Sequence, residues 1–312
     1  MPDLESPIEL NSEKPLSWSK RNGFPDWLIA FFWLIIAFVF FQLVANVLAL
    51  IFIVAKTGFP DDPTKLLNLI TENLRWVFVG NSIGQVGILG LFTIYFSRIV
   101  VSKEERRQFF RIKKTENLGR SLLLSSFLIV TIQPTIWWLG HLNLQFPFSE
   151  SYLAFENQQM QVLIDFLTSE PSLLFILFNV AVVPAICEEI LFRGFVFRLF
   201  SNSAGIIWGI VISGFLFGLY HLKLTQLIPL SLIGMLLAWL TVQSGSLYPA
   251  ILAHFINNGG SVVAAYYFPD YAFSVGEEFL PPVWMIGLSL VLTLFWLILL
   301  RRTTTKGGSH VL

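Results

Sequence analysis

Charge is what this chain has least of. Only 13% of its 312 residues are charged, against roughly 25% in soluble domains, and acids and bases balance to a net charge of zero. The balance argues against a nucleic-acid partner, which calls for a basic surface. The scarcity excludes an ordinary water-facing exterior. Cysteine is nearly missing too: Cys187 stands alone, so no internal disulfide can form. No cleavable leader is expected. The opening residues are polar, carry Lys14, Lys20 and Arg21, and lack a short apolar core ahead of a small-residue cleavage site.

What fills the chain instead is apolar. Hydrophobic residues make up 55% of it, with a mean hydropathy of +0.70. Hydrocarbon solvates such an exterior where water would not. A spanning helix takes about 20 mostly apolar residues, and eight stretches qualify, near 27–55, 76–98, 121–140, 173–199, 206–222, 226–243, 246–267 and 281–300. The expected fold is an all-α, polytopic membrane bundle of about eight transmembrane helices. The fifth and sixth spans are short and tightly joined around Lys223. Lys103, Arg106, Arg107, Arg111, Lys113, Lys114 and Arg120 crowd between spans two and three, which places that connection in the cytoplasm. Alternation then puts both termini there and leaves 141–172 and 267–280, free of lysine and arginine, outside. The same basic connection could attract anionic lipid headgroups or act as a topology determinant alone. Residues 156–167 look like an amphipathic helix on the outer interface. The organisation expected is a polar segment at 1–26, one membrane domain at 27–300 with its chemistry within 170–265, and a tail at 301–312. The short tails suit a bacterial inner membrane.

Ionisable groups inside a bilayer are costly and become functional candidates by default. Here they fall into three short motifs. The first is Glu188-Glu189-Ile190-Leu191-Phe192-Arg193. Glu189 and Arg193, four apart, share a helix face and can pair, whereas Glu188 is rotated about 100° away. Pro184, four residues earlier, should kink the helix near that carboxylate. The second motif is Phe217-Gly218-Leu219-Tyr220-His221, and the third His254-Phe255-Ile256-Asn257-Asn258. Glu188 and His221 lie at matching depth, roughly 20–25 Å from the Ser201–Gly205 turn at 1.5 Å per residue. His254 is closer to its own turn at Ser244–Ser246, so its depth is offset. Each piece has a bland reading: a structural ion-pair clasp, a histidine bonding a neighbouring helix, asparagines linking helices. Asn81 and Gln85, beside Gly80 and Gly84, read as packing groups of that kind.

Two routes to amide hydrolysis suit these groups. In a metal-free route Glu188, aided by His221, acts as general base on water, while His254 and Asn258 donate to the oxyanion. In a metal route His221, His254 and one glutamate, taken as Glu188, hold zinc or another divalent ion whose water attacks. Signatures of other intramembrane proteases are missing: no H-E-x-x-H, G-x-S-G or G-x-G-D occurs in the chain.

The ordered trio Glu188-Glu189-x-x-x-Arg193, Phe217-x-x-x-His221 and His254-x-x-x-Asn258 resembles the CPBP or Abi family, which contains the CAAX prenyl endopeptidases and bacteriocin-processing or immunity proteins. The resemblance covers about residues 170–265. It implies an eight-helix bundle with a cavity open to cytoplasm and bilayer. Glu188 would be the catalytic carboxylate, His221 its partner, His254 with Asn258 the oxyanion or metal group, and Glu189 and Arg193 their support. It further implies a membrane endopeptidase, often a metalloprotease, acting on a membrane-associated peptide or protein. Competing expectations are a non-catalytic scaffold or bacteriocin self-immunity protein of the same fold, and a proton-coupled transporter. The last usually shows repeated halves, which this sequence lacks.

Overall fold

Within hydrocarbon every backbone N–H and C=O must be satisfied by the chain itself, and a helix achieves this inside one segment. In the computed structural model of the protein, which describes residues 17–60, 62, 65–101, 105–170, 172–269 and 280–304, all regular structure is accordingly helical. The polar residues before 17, Lys103, the stretch 270–279 and the tail beyond 304 lie outside the described residues. The principal helices are α1 (Asp26–Thr57), α2 (Leu74–Ile99), α3 (Leu118–Thr131), α4 (Gln133–Leu144), α5 (Glu150–Ser169), α6 (Leu173–Ala204), α7 (Ile206–Tyr220), α8 (Leu224–Ser244), α9 (Tyr248–Tyr267) and α10 (Val283–Thr304).

Five of these, α1, α2, α6, α8 and α10, are long and apolar enough to cross a bilayer, and α3 with α4 makes a sixth if the pair is one span. That pair is bent by 44° beside Pro134, whose ring removes a helical hydrogen bond. The two remaining places are helical but fall short in different ways. The helix α7 has only 15 residues, and the 20 residues of α9 are diluted by His254, Asn257 and Asn258. Helix thus occupies all eight expected places, while five to six meet the measure of a span by length and composition. The outward faces are apolar. Only 11% of the apolar window of α10 is buried, and Val283, Trp284, Val291 and Leu294 are exposed, as a lipid-solvated helix requires. The chain is a multi-pass integral membrane protein.

The connections sort into two ends. At one end, Trp27 N–H donates to Ser203 Oγ at 3.0 Å and Asn202 Nδ2 to Asp26 at 2.9 Å. There too the basic connection grips the α8–α9 turn: Arg111 donates to Thr241 O (2.9 Å), Ser246 Oγ to Lys113 O (2.9 Å) and Leu247 N–H to Arg111 O (3.1 Å). At the other end, Asn143 donates to Leu224 O at 2.9 Å and accepts from Ile228 N–H at 2.7 Å. This is the alternation that consecutive antiparallel helices demand. The α5 helix is longer than the expected 156–167, and it is docked: Phe166 and Leu167 are buried with Leu74, Ile176 and Val262.

The α6 helix forms the centre. Its Leu191, Phe192, Phe195 and Leu199 pack with Trp33, Ala37 and Phe41 of α1, Leu89 of α2 and Phe217 of α7. Where α7 meets α8, glycine decides the spacing. A Cβ on Gly214 would stand 2.6 Å from Met235 N, and one on Gly234 would stand 2.7 Å from Gly214 O. Such small residues let two helix backbones touch in a membrane.

Candidate active site

The site begins with a broken backbone ladder in α6. Pro184 has no N–H to offer the carbonyl of Val180, four residues back. Asn258 of α9 donates to that carbonyl through Nδ2 at 3.2 Å. Wider, π-type turns occupy 178–182 and 190–196, with Glu188 and Glu189 between them. Such bulges are frequent at functional positions.

Glu189 and Arg193 are both fully enclosed and pair at 2.7 Å. The guanidinium also donates to Gly234 O at 2.9 Å and lies 4.4 Å from the centre of the Phe217 ring. His254 Nδ1 sits 2.8 Å from the same Glu189 oxygen that accepts from Arg193. A carboxylate paired to a guanidinium accepts only, so Nδ1 carries the proton and Nε2 keeps its lone pair. Asn258 Nδ2 lies 3.2 Å from that Nε2 and donates to it. His221 follows the same logic: its Nδ1 is 2.8 Å from Phe217 O, a carbonyl can only accept, and Nε2 is left bare.

Both Nε2 atoms face one oxygen, that of His221 free and that of His254 already accepting from Asn258. Glu188 Oε2 is 4.0 Å from His221 Nε2 and 4.0 Å from His254 Nε2, is buried, and has no hydrogen-bond partner. Three acceptor atoms therefore converge with no donor directed at Glu188 Oε2, an arrangement that suits a water, a proton or a cation between it and His221. Phe217 packs edge-on against both imidazoles, at 4.7 and 5.7 Å between ring centres.

The depth offset expected for His254 is closed because the α8–α9 turn does not lie at the surface. Ser246 and Leu247 are fully buried beneath the basic connection, so α9 starts already inside the bundle. The four polar side chains Glu188, Glu189, His221 and His254 meet as one cluster, joined by Arg193 and Asn258. Four contacts had no counterpart in the motif reading: the Gly234 and Val180 carbonyls, the second partner of Glu189, and Gln133, which donates to Asn257 Oδ1 at 3.1 Å from the α3–α4 bend. Of these, the Val180 contact had a signal in the sequence, since a proline frees the carbonyl four residues before it.

A metal fits this cluster in donor type. Two imidazole nitrogens and a carboxylate are a common zinc set, and each imidazole already gives its other N–H to a carbonyl or carboxylate, as metal-ligating histidines do. The spacing is wider than a closed site: neighbouring ligands of tetrahedral zinc stand about 3.3 Å apart, and these stand at 4.0 Å. Among the described residues no three His, Cys, Asp or Glu are preformed to hold an ion.

Fold and site together define the class: a helical, multi-pass integral membrane protein with a buried acid–histidine cluster at the centre of its bundle. Residues 170–260 match the family model described as type II CAAX prenyl endopeptidase Rce1-like, a protease family, and this interval contains all three motifs. The family inferred from the spacing of those motifs is the one found. No curated protein and no solved structure matches the chain.

Proposed function

We propose that the protein is an intramembrane endopeptidase in which Glu188 activates water against a peptide bond of a membrane-associated substrate. The convergence of Glu188 Oε2 with the Nε2 atoms of His221 and His254 carries this reading, and the protease family of residues 170–260 supports it. A water about 2.8 Å from each of two atoms 4.0 Å apart subtends an angle near 90°, so it bridges them without rearrangement. Glu188 takes the proton from that water as its oxygen bonds to the substrate carbonyl carbon and the carbonyl electrons move onto oxygen. The same proton then passes to the amide nitrogen, the C–N bond breaks to give a carboxylic acid and an amine, and the acid's remaining proton moves to the amine as a carboxylate and an ammonium leave. A divalent ion held by Glu188, His221 and His254 would supply Lewis acidity and a more acidic water.

The role of oxyanion donor expected of His254 and Asn258 carries a condition. The Asn258 amide is engaged by Val180 O and His254 Nε2, so His254 donates to an oxyanion only after taking a proton on Nε2. Glu189, between Arg193 and His254, is the group that would stabilise that imidazolium. The reading also takes all eight helical places as spans, with the basic connection and both termini on the cytoplasmic side. The sorting of the connections into two ends supports this.

The test is cleavage of a library of membrane-anchored peptides by purified wild type and Glu188→Gln, each with and without a zinc chelator. Cleavage by wild type alone is expected, and its loss on chelation would assign a metal. Cleavage by both proteins would remove Glu188 from the chemistry. If neither cleaved and Glu188→Gln kept its activity in cells, the scaffold or immunity reading would replace this one.

A further inference from the structure

Between α3, α6 and α9 lies a cleft of about 600 Å³, open along one side, whose walls are almost wholly apolar. Three helical stripes build it. Leu118 and Leu122 come from α3, Ile186 with its neighbours from α6, and Ile251 and Phe255 from α9. Spacings of three, four or seven residues keep each stripe on one helix face. At the end of the cleft formed by the basic connection the chemistry changes. Lys114 and Tyr248 close the lining there, and the exposed Lys113, whose carbonyl accepts from Ser246, precedes Lys114 in the chain. None of these side chains belongs to the acid–histidine cluster.

We propose that this cleft is a binding site for an anionic phospholipid, with an acyl chain along the apolar stripes and the headgroup held by Lys113 and Lys114. The volume falls within the range of ligand pockets, about 300–1,000 Å³. Charge complementarity selects the occupant. An apolar trough ending at two exposed lysines, inside a protein whose exterior faces lipid, matches an amphiphile with a negative head. Basic pockets between helices recognise anionic headgroups on the same physical grounds. Two walls of the cleft are the helices that carry Glu188, Glu189 and His254, so the lipid would brace the framework of the cluster from outside.

The test uses the full chain in a neutral detergent, offered equal amounts of phosphatidylglycerol and phosphatidylcholine with identical acyl chains. Retained lipid is counted by native mass spectrometry. Wild type should keep phosphatidylglycerol over phosphatidylcholine by about fivefold or more, the preference that even one juxtamembrane cation provides. The variant Lys113→Gln/Lys114→Gln should lose that preference while still retaining lipid. Leu122→Trp/Ile251→Trp, which fills the trough, should retain neither lipid at this site. Equal retention of the two lipids by wild type would overturn the proposal, as would a preference that survives in the charge variant. Should the filled variant aggregate, the charge variant alone decides, because its two side chains are exposed and its fold is not at stake.

Discussion

Glu189 Oε1 lies 2.7 Å from Arg193 and 2.8 Å from His254 Nδ1, while its neighbour Glu188 faces two imidazole nitrogens and bonds to neither. One helical step separates a carboxylate paired through Oε1 from one whose Oε2 meets no donor. Arg193→Ala would leave Glu189 enclosed with His254 as its only remaining partner. Removing one member of a buried pair costs about 3–5 kcal/mol, so thermal unfolding in detergent should show a large loss. Adding Glu189→Gln removes the stranded charge and should restore most of that stability, since a Gln carbonyl still accepts from His254. Equal stability of the single and double variants would show that the pair is not the source. Asn258→Ala tests a different bond set. It strips a donor from the Val180 carbonyl that Pro184 left open and from His254 Nε2. An unsatisfied buried acceptor costs about 1–3 kcal/mol, so a modest fall in unfolding temperature should accompany a loss of activity. Restoration by Asn258→Gln would argue that donor position is not critical.

Among elements, the contact between α7 and α8 sets where Arg193 finds its second acceptor. Gly234 O accepts from Arg193 at 2.9 Å, and its Cα faces Gly214 with no room for a methyl group. Gly234→Ala must push the helices apart and carry that carbonyl with them. Overpacking of this kind costs about 1–3 kcal/mol. The expected outcome is reduced stability, with activity falling further than in an equally destabilised variant remote from the cluster, for example one in α10. The outer helix α5 carries a second device. Tyr152 donates its hydroxyl proton to Glu156 and accepts from Leu224 N–H at 2.6 Å, and Glu156 accepts from Thr225 Oγ1 at 2.5 Å. This latch holds the loop directly after His221, in which Leu222 adopts φ +55°, a region that disfavours leucine. Burial pushes the Lys223 ammonium below its usual range, and Glu156 partly offsets the shift. Glu156→Ala should free the loop, read as faster hydrogen exchange at residues 222–226 with α6 unchanged. Unaltered exchange would mean that the loop is held by other contacts.

At the scale of the whole molecule, topology is open to direct test, because Cys187 is the only thiol and is buried. In a Cys187→Ala background, single cysteines at 107 and 202, both exposed, should react with an impermeant thiol reagent from the cytoplasmic side. Those at 147 and 158 should react only from the opposite side. Labelling of 107 and 202 from opposite faces would break the alternation. Much of this was open to reading along the chain. Apolar run length located helix at all eight places, since a span must exceed a fixed thickness and satisfy its own backbone. Four-residue spacing located the Glu189–Arg193 pair, because helix geometry alone brings such residues together. The 3.6-residue period cannot say how deep a turn lies or which distant carbonyl meets a donor. The expected depth of His254 was offset for that reason, until the buried Ser246–Leu247 turn brought α9 inward. The sequence by itself therefore determined the class of environment, the helices and the chemical types gathered in the second half of the chain. Only the tertiary structure decided that Glu189 serves His254 as well as Arg193, that the Val180 carbonyl holds Asn258, and that two imidazoles turn their Nε2 atoms toward Glu188. Those contacts join residues far apart in the chain, and their geometry is set by how closely the helices pack rather than by any local period.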